Sequence, residues 1–229
     1  MPESKFSGFG PGVVQFFEDL AANNNRAWWQ DNKDRYEADV RAPLELLLAD
    51  LADEFGEAKV FRPNRDTRFS PDKTPYKTQA AAGIDLGYDS GASLYVQLSA
   101  DGMMLGGGKF HPAKDQLARL REAIAADRTG EELEDVVAQL GKAGVTISSR
   151  EALKTAPRGY PADHPRIEYL RMKGIIGVIE HPPGKWLQTT EALDRVATGW
   201  RTIAPLNEWL ATNVGPSQEP PPPPRGGRG

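Results

Sequence analysis

The sequence predicts a single α+β domain in which an antiparallel meander packs against several helices. Helical and strand-like stretches cluster along the chain instead of alternating, which disfavours a parallel sheet with crossover helices. The links between the strand-like stretches are too short for parallel crossovers, so these strands are expected to pair antiparallel. We place the domain at residues 1–214 and a disordered tail, rich in Pro and in Arg-Gly, at residues 215–229.

The first part of the chain predicts two helices. From Val13 onwards apolar residues recur at helical spacing, and the asparagines at 23–25 stop this helix and offer an N-cap for the next one. The second helix is expected over about residues 26–55. Pro43 lies in its middle and has no backbone N–H, so we expect a kink there or two helices that meet. Gly56 is the expected C-cap.

Three strand-like stretches follow, at residues 80–86, 92–100 and 103–107. The middle stretch alternates apolar and polar side chains, which is the pattern of a half-buried strand. A turn at residues 87–91 and the hairpin signal at Asp101 and Gly102 connect the three stretches into a meander.

The C-terminal half predicts further helices and two short strands. The helices are expected at about residues 112–127, 131–140 and 163–170 and from Thr189 or Thr190 onwards. The strands are expected at residues 145–147 and 173–180. Thr129 is the expected N-cap of the helix at 131–140, and Pro205 is expected to bend or break the last helix.

Composition excludes several classes of function. A net charge of −4 and a sequence pI near 5.5 argue against general electrostatic binding to nucleic acid or to an anionic membrane. The chain has no cysteine, so disulfides, thiol nucleophiles and Cys-ligated zinc are excluded. No stretch has the length and apolarity of a signal peptide or a membrane span, so we expect a cytoplasmic protein.

The most distinctive stretch is residues 62–78, which we call the basic segment. It carries five cationic side chains against two carboxylates, in a protein whose net charge is negative. Its three prolines prevent a regular helix or a central strand. Because the segment has little apolar surface to bury, polar contacts must fix it if it is ordered. It is therefore the best candidate for a site.

Several motifs resemble one known family. They are residues 28–33, most of the basic segment from Arg65 to Thr78, and residues 156–160, 163–165 and 170–173. In this order they resemble the domain-of-unknown-function family twenty-four sixty-one, conserved hypothetical proteins of bacteria and fungi. The resemblance covers roughly residues 6–210 and implies a single α+β domain. It implies no activity, cofactor or catalytic residue, and the C-terminal tail is an addition to it.

The residues themselves favour an anion site. Arginine forks match carboxylate or phosphate oxygens, and lysines add point charge. A ligand-binding rim is therefore predicted from Arg65, Arg68, Lys73, Lys77 and Arg158. Trp29 and Tyr76 are candidate contacts for a planar part of the ligand. Catalysis, if it occurs, would use electrostatic stabilisation with Asp66 or Asp72 as a base.

Other interpretations of the basic segment stay open. Its arginines can pair with carboxylates of the long helix, such as Glu37 or Asp34, and simply hold a loop in place. We expect Arg65 to be paired inside the protein and Lys73 and Lys77 to face a ligand. Alternatively, the protein is a non-catalytic interaction domain whose proline-rich tail recruits a partner. Nucleic-acid binding is disfavoured by the net charge.

Two further patterns predict neither a cofactor nor a metal. The glycines at 106–108 lack the spacing of a phosphate-binding loop, and we expect them to turn the chain between a strand and a helix. The three histidines, His111, His164 and His181, each precede a proline and show no metal-ligand spacing.

Overall fold

The computed structural model describes residues 5–68, 70–85 and 92–219. The turn predicted at 87–91, Leu86 at the end of the first predicted strand, and residues 220–229 of the predicted tail lie outside these ranges.

An antiparallel sheet lies at the centre of the fold, which confirms the predicted α+β class. Its strands are β1 Lys59–Val60, β2 Gln79–Asp85, β3 Ser93–Ser99, β4 Gly102–Lys109, β5 Thr146–Ser148 and β6 Ile175–His181. The six strands lie in the order β1-β2-β3-β4-β6-β5, so β1 and β5 are the two edges. The strands β2 to β4 form the predicted meander, whereas β6 adds to β4 after a long helical excursion.

The helices of the described chain are α1 Val13–Ala22, α2 Arg26–Tyr36, α3 Ala42–Phe55, α4 Lys114–Ala125, α5 Asp127–Lys142, α6 Ile167–Arg171 and α7 Glu191–Asn213. Asn25 caps α2 as predicted, because its side-chain oxygen accepts a hydrogen bond from the N–H of Trp28 at 3.0 Å. Gly56 ends α3 with a φ of 92°, a conformation that favours glycine.

The junction of α2 and α3 is a π-helical turn, Glu37–Arg41, and Pro43 lies in the first turn of α3. Proline has no N–H and its ring crowds the carbonyl four residues earlier, which is that of Asp39. This carbonyl accepts a hydrogen bond from the N–H of Gly10 at 3.1 Å instead. The kink predicted at Pro43 is therefore a widened, π-helical turn. The Asp39 carbonyl in this turn binds the N-terminal loop through Gly10.

The sheet turns one face towards the helices. Facing positions on neighbouring strands, such as Ala82, Val96 and Leu105, are fully buried. The helix α7 packs along β4, and its two halves belong to two apolar clusters: one is formed with α1, α2, α3 and β2 to β4, the other with α4, α5 and α6. Pro205 lies inside α7 without ending it, so of the two predicted effects, a bend or a break, the break does not occur.

Two local predictions are wrong. Gly106, Gly107 and Gly108 lie inside β4 and do not form a turn. A side chain at Gly107 would lie 2.6 Å from Cγ2 of Ile203, so the glycine lets α7 approach the sheet closely. Thr129 is not an N-cap: α5 begins at Asp127, and the Thr129 hydroxyl donates to the carbonyl of Ala123 at 2.6 Å.

The stretch predicted as a tail begins with residues that are held on α4. Asp115 accepts hydrogen bonds from the Ser217 hydroxyl at 2.8 Å and from the Gln218 N–H at 2.7 Å. Gln116 donates to the carbonyl of Gly215 at 2.8 Å. In the ranges that the structure describes, no helix is long and apolar enough to cross a membrane.

Candidate functional site

The basic segment folds as a continuation of the β1–β2 hairpin. The N–H of Arg65 donates to the carbonyl of Pro75 at 2.9 Å, and the N–H of Lys77 donates to that of Pro63 at 2.8 Å. These bonds flank an antiparallel bridge between Asn64 and Tyr76. The two ends of the segment are therefore paired arms, and the residues between them form the tip.

The arm that contains Tyr76 is held against α2. Asn24 binds its backbone: the Asn24 amide donates to the Tyr76 carbonyl at 2.9 Å and accepts from the Tyr76 N–H at 3.1 Å. The rings of Tyr76 and Trp29 stack, with centroids 4.2 Å apart and an angle of 12°. Both rings are buried, whereas the neighbouring Trp28 is half-buried. We predicted that Trp29 and Tyr76 would stack on a planar part of a ligand; in the structure the two rings stack on each other.

Four of the predicted rim cations bind groups of the segment itself. The two arginines pair with its carboxylates: Arg65 binds Asp72, and Arg68 binds Asp66 through two bonds of 2.9 and 2.7 Å. The lysines bind backbone carbonyls. Lys73 donates to the carbonyl of Thr67 at 2.9 Å, and Lys77 donates to the carbonyl of Arg62 at 3.0 Å. The predicted internal pairing of Arg65 is confirmed, but its partner comes from the segment and not from the long helix.

The two carboxylates of the segment are poor candidates for a base. The Arg68 guanidinium and its backbone N–H hold the pKa of Asp66 well below its ordinary value. Hydrogen bonds from Thr74, and then from Arg65, lower the pKa of Asp72. A lowered pKa weakens a carboxylate as a proton acceptor near neutral pH.

The structure does not bring Arg158 to the basic segment. Arg158 is exposed and lies in the connection between β5 and β6, whereas the basic segment joins β1 to β2 at the opposite edge of the sheet. Arg166, from the same connection, is buried and donates to the carbonyl of Ile124 at 2.7 Å, where it closes the end of α4. Arg158 therefore cannot complete a site at residues 62–78.

A cleft of about 480 Å³ lies between α2, the π-helical turn and the edge of the sheet. Its walls are formed by Trp29, Gln30, Lys33, Tyr36, Glu37 and Arg41 on the helical side and by Val60, Phe61, Arg62, Pro63, Asn64 and Tyr76 on the other. We call it the edge cleft. Of the predicted site residues, only Trp29 and Tyr76 line it.

The edge cleft has a cationic lining. Arg41 is shared between Glu45 at 2.9 Å and Glu37 at 3.6 Å. Within residues 5–68, 70–85 and 92–219, no carboxylate pairs with Lys33 or with the Arg62 side chain. Three cations therefore face one lining carboxylate, Glu37, and two of the cations are free to bind an anion.

Tyr36 forms part of the buried end of the edge cleft. Burial raises the pKa of its hydroxyl to about 12, with a further upward contribution from Glu37 and an opposing one from Arg41. Tyr36 is therefore a neutral hydrogen-bonding group at physiological pH and contributes no charge to the cleft.

Sequence reasoning missed Lys33 and Arg62 as a pair. Lys33 lies one helical turn after Trp29, so the two share a face of α2, and that spacing was the available signal. Arg62 was recognised only as one cation of the basic segment. Nothing in the sequence shows that the tip residues would neutralise Arg65 and Arg68 and leave Arg62 free.

The histidines have separate neighbours. Nε2 of His111 lies 3.0 Å from Nη1 of Arg150, and Nδ1 of His181 lies 3.3 Å from Nη1 of Arg195. Nδ1 of His164 accepts from the N–H of Arg166 at 3.1 Å. Among the described residues, no group of three or more His, Asp or Glu side chains is placed to hold a metal ion.

The sequence of the chain matches a protein family. No curated protein matches the chain. The family described as Conserved hypothetical protein (DUF2461) matches residues 12–209, a range that contains α1 to α6, the whole sheet, the basic segment and most of α7. The resemblance carried by the sequence motifs is thereby confirmed. The chain belongs to the DUF2461 family of conserved hypothetical proteins.

Proposed function

We propose that the protein binds a small ligand that carries phosphate or carboxylate groups, and that it does so in the edge cleft. The observation that carries this proposal is the pair of cations, Lys33 and Arg62, that line the cleft without a carboxylate partner among the described residues. A free guanidinium and a free ammonium group attract an oxyanion, and the guanidinium can bind it through two parallel hydrogen bonds.

The shape and the lining of the cleft support the same proposal. A volume of about 480 Å³ lies within the range of small-molecule sites. The buried rings of Trp29 and Tyr36 form an apolar wall, and the amides of Gln30 and Asn64 add neutral hydrogen-bonding groups. Polar and charged groups predominate in the lining, which favours a ligand with charged oxygens over an apolar one.

This proposal moves the anion site away from the tip of the basic segment. An incoming anion at Arg65 or Arg68 would have to displace Asp72 or Asp66, which are tethered a few residues away. At Lys33 and Arg62 no paired carboxylate among the described residues has to be displaced. The segment then acts as a support: Tyr76 fixes its position on α2, and Arg62 is its contribution to the cleft.

A thermal-shift panel tests the proposal. The panel contains phosphate, pyrophosphate, citrate, nucleotides and sugar phosphates, each added to the wild type and to the Arg62→Ala variant. A ligand at about 100 times its dissociation constant stabilises the folded state by about 2.7 kcal/mol, which raises Tm by roughly 5–10 °C for a chain of this size.

We expect at least one compound to shift the wild type and to shift Arg62→Ala much less. Arg68→Ala serves as the matched control, because it removes the same charge from the same segment but from a residue outside the cleft. A panel without any shift, or a shift that survives Arg62→Ala, would contradict the proposal.

A further inference from the structure

We infer that the anionic ligand of the edge cleft is an acidic peptide segment that binds in an extended conformation along the outer side of residues 60–64, which continue from β1 into the basic segment. The inference rests on the proposed anion site and names the class of its ligand. Its basis is the direction of the backbone groups of Val60 and Asn64, two residues that line the cleft together with the two free cations.

The pairing register fixes that direction. The N–H of Phe61 donates to the carbonyl of Ala81 at 2.9 Å, so Phe61 and Ala81 are a hydrogen-bonded pair of the β1–β2 ladder. In an antiparallel ladder such pairs alternate with non-hydrogen-bonded ones. Val60, which faces Ala82, is therefore at a non-hydrogen-bonded position, and its N–H and C=O point away from β2.

The same argument applies four residues later. The bonds of Arg65 to Pro75 and of Lys77 to Pro63 flank the bridge between Asn64 and Tyr76. Asn64 is therefore also at a non-hydrogen-bonded position, with its backbone groups turned outwards. In the part of the chain that the structure describes, no acceptor binds its N–H.

On the opposite arm of the basic segment, the outward backbone groups of Tyr76 have hydrogen-bond partners. Tyr76 is the bridge partner of Asn64, so its N–H and C=O also point out of the pairing. The side-chain amide of Asn24 binds both of them, as a neighbouring strand would. Val60 and Asn64 have no such side-chain partner within the described ranges, and the space beside them is the edge cleft.

Pro63 does not block this edge. Proline protects many sheet edges because it lacks an N–H. The carbonyl of Pro63, however, accepts from Lys77 on the paired arm, so the missing N–H lies on the side that is already occupied. The N–H groups of Val60 and Asn64 remain available, whereas the carbonyl of Arg62 between them already accepts from Nζ of Lys77 at 3.0 Å.

Charge and length define the peptide. Five residues from 60 to 64 span about 14 Å at roughly 3.4 Å per residue, which is room for a segment of about four or five residues. Lys33 on the helical wall and Arg62 on the strand wall lie on two sides of that path. A strand with Asp or Glu at alternate positions would present its carboxylates to these cations while its backbone pairs with the edge.

The test is fluorescence anisotropy with a labelled, end-capped peptide of eight residues that alternates Glu with Val. We expect it to bind the wild-type protein, and a peptide that alternates Lys with Val not to bind. A version of the acidic peptide that is N-methylated at every second residue keeps its charge but loses its donors on one edge. Pairing with β1 predicts that methylation of the facing edge weakens binding roughly 10-fold or more.

Two variants of Asn64 test whether its backbone N–H takes part in peptide binding. Asn64→Pro removes the outward N–H, whereas Asn64→Ala keeps it and removes only the side chain. We expect the Pro variant to bind the acidic peptide roughly 3- to 10-fold more weakly than the Ala variant. If the Pro variant does not fold, the N-methylated peptides on the wild-type protein decide the question.

The outcomes separate this inference from the proposed function. If phosphate or citrate stabilises the protein through Arg62 but the acidic peptide does not bind, or binds equally well after methylation of either edge, the inference is overturned and the anion site stands. If neither the small anions nor the acidic peptide bind, both are overturned.

Discussion

The side-chain amide of Asn24 holds Tyr76 by both of its backbone groups, at 2.9 Å from the carbonyl oxygen and 3.1 Å from the nitrogen. This contact joins the α1–α2 loop to the basic segment across 52 positions of sequence. It places Arg62, at the start of the segment, opposite Lys33 of α2 by fixing the arm to which residues 63–65 are paired. The geometry of the edge cleft therefore depends on a residue that lies outside it.

Replacement of Asn24 by Ala should destabilise the protein. Two hydrogen bonds are lost and two part-buried backbone groups are left without partners, so we expect the free energy of unfolding to fall by about 1–3 kcal/mol. Urea denaturation measures this change. Asn32→Ala is the control, because Asn32 makes one bond to the carbonyl of Trp28 in its own helix, and its loss should cost much less. Equal effects of the two replacements would contradict the assigned role of Asn24.

Replacement of Gly10 by Ala should also destabilise the protein, through the π-helical turn. A side chain at Gly10 would lie 2.0 Å from Oδ1 of Asp39 and 2.7 Å from its Cα, so the loop would have to move and lose its bond to the Asp39 carbonyl. We expect a loss of about 1–3 kcal/mol in the free energy of unfolding, as for other overpacked sites.

Gly141→Ala is the matched control for that experiment. Gly141 lies in α5, and nothing is within 4 Å of a side chain placed there. Because Ala is a better helix former than Gly, we expect a gain of about 0.5–1 kcal/mol. Thermal or urea unfolding of both variants gives the comparison, and a Gly10→Ala variant as stable as the wild type would show that Asp39 does not confine the loop.

The contacts of Asp115 should make stability depend on pH in the acid range. The Gln218 N–H, with the Ser217 hydroxyl and Arg119, lowers the pKa of Asp115 from 3.8 to about 2. A carboxyl with a lowered pKa in the folded state stabilises that state above its unfolded pKa, and this contribution is lost as pH falls from about 4 to about 2. Urea midpoints of the wild type and of Asp115→Asn should differ at about pH 6 and converge near pH 2. A constant difference would contradict the assignment.

The Tyr36 hydroxyl should ionise at a higher pH than an ordinary tyrosine. Its pKa is raised from 10.0 to about 12 by burial, so the phenol stays neutral to higher pH than in the unfolded chain. The corresponding stability is complete below about pH 10 and is lost as pH rises towards 12. The difference in ultraviolet absorbance between the wild type and Tyr36→Phe isolates this residue. An absorbance change that is complete near pH 10 would mean that the hydroxyl is open to solvent.

Local sequence patterns predicted those parts of the fold that local interactions determine. The cap at Asn25, the end of α3 at Gly56 and the alternation of β3 are set by neighbours along the chain, and the structure confirms them. The edge strand β1, with two residues, is too short to show a period. The glycines of β4 were misjudged because the reason for Gly107 is the distant Ile203 of α7.

The candidate site could be predicted only in part for the same reason. The excess of cations marked the basic segment, but Asp66 and Asp72 reach back to Arg68 and Arg65 through the folding of the tip, which no spacing reveals. Lys33 and Arg62 are separated in sequence by the whole of α3 and line one cleft only in the folded chain. The pairing of such residues is a property of the tertiary fold.

The most direct test of the anion site is isothermal titration calorimetry with the ligand that gives the largest thermal shift. The affinities of Lys33→Ala, Arg62→Ala and Arg68→Ala are compared with that of the wild type. A charge-assisted contact contributes about 1.5–3 kcal/mol, so we predict that the first two variants bind roughly 10- to 100-fold more weakly and that Arg68→Ala binds within about 2-fold of the wild type. Unchanged affinity in Lys33→Ala and Arg62→Ala, or a loss confined to Arg68→Ala, would contradict binding in the edge cleft.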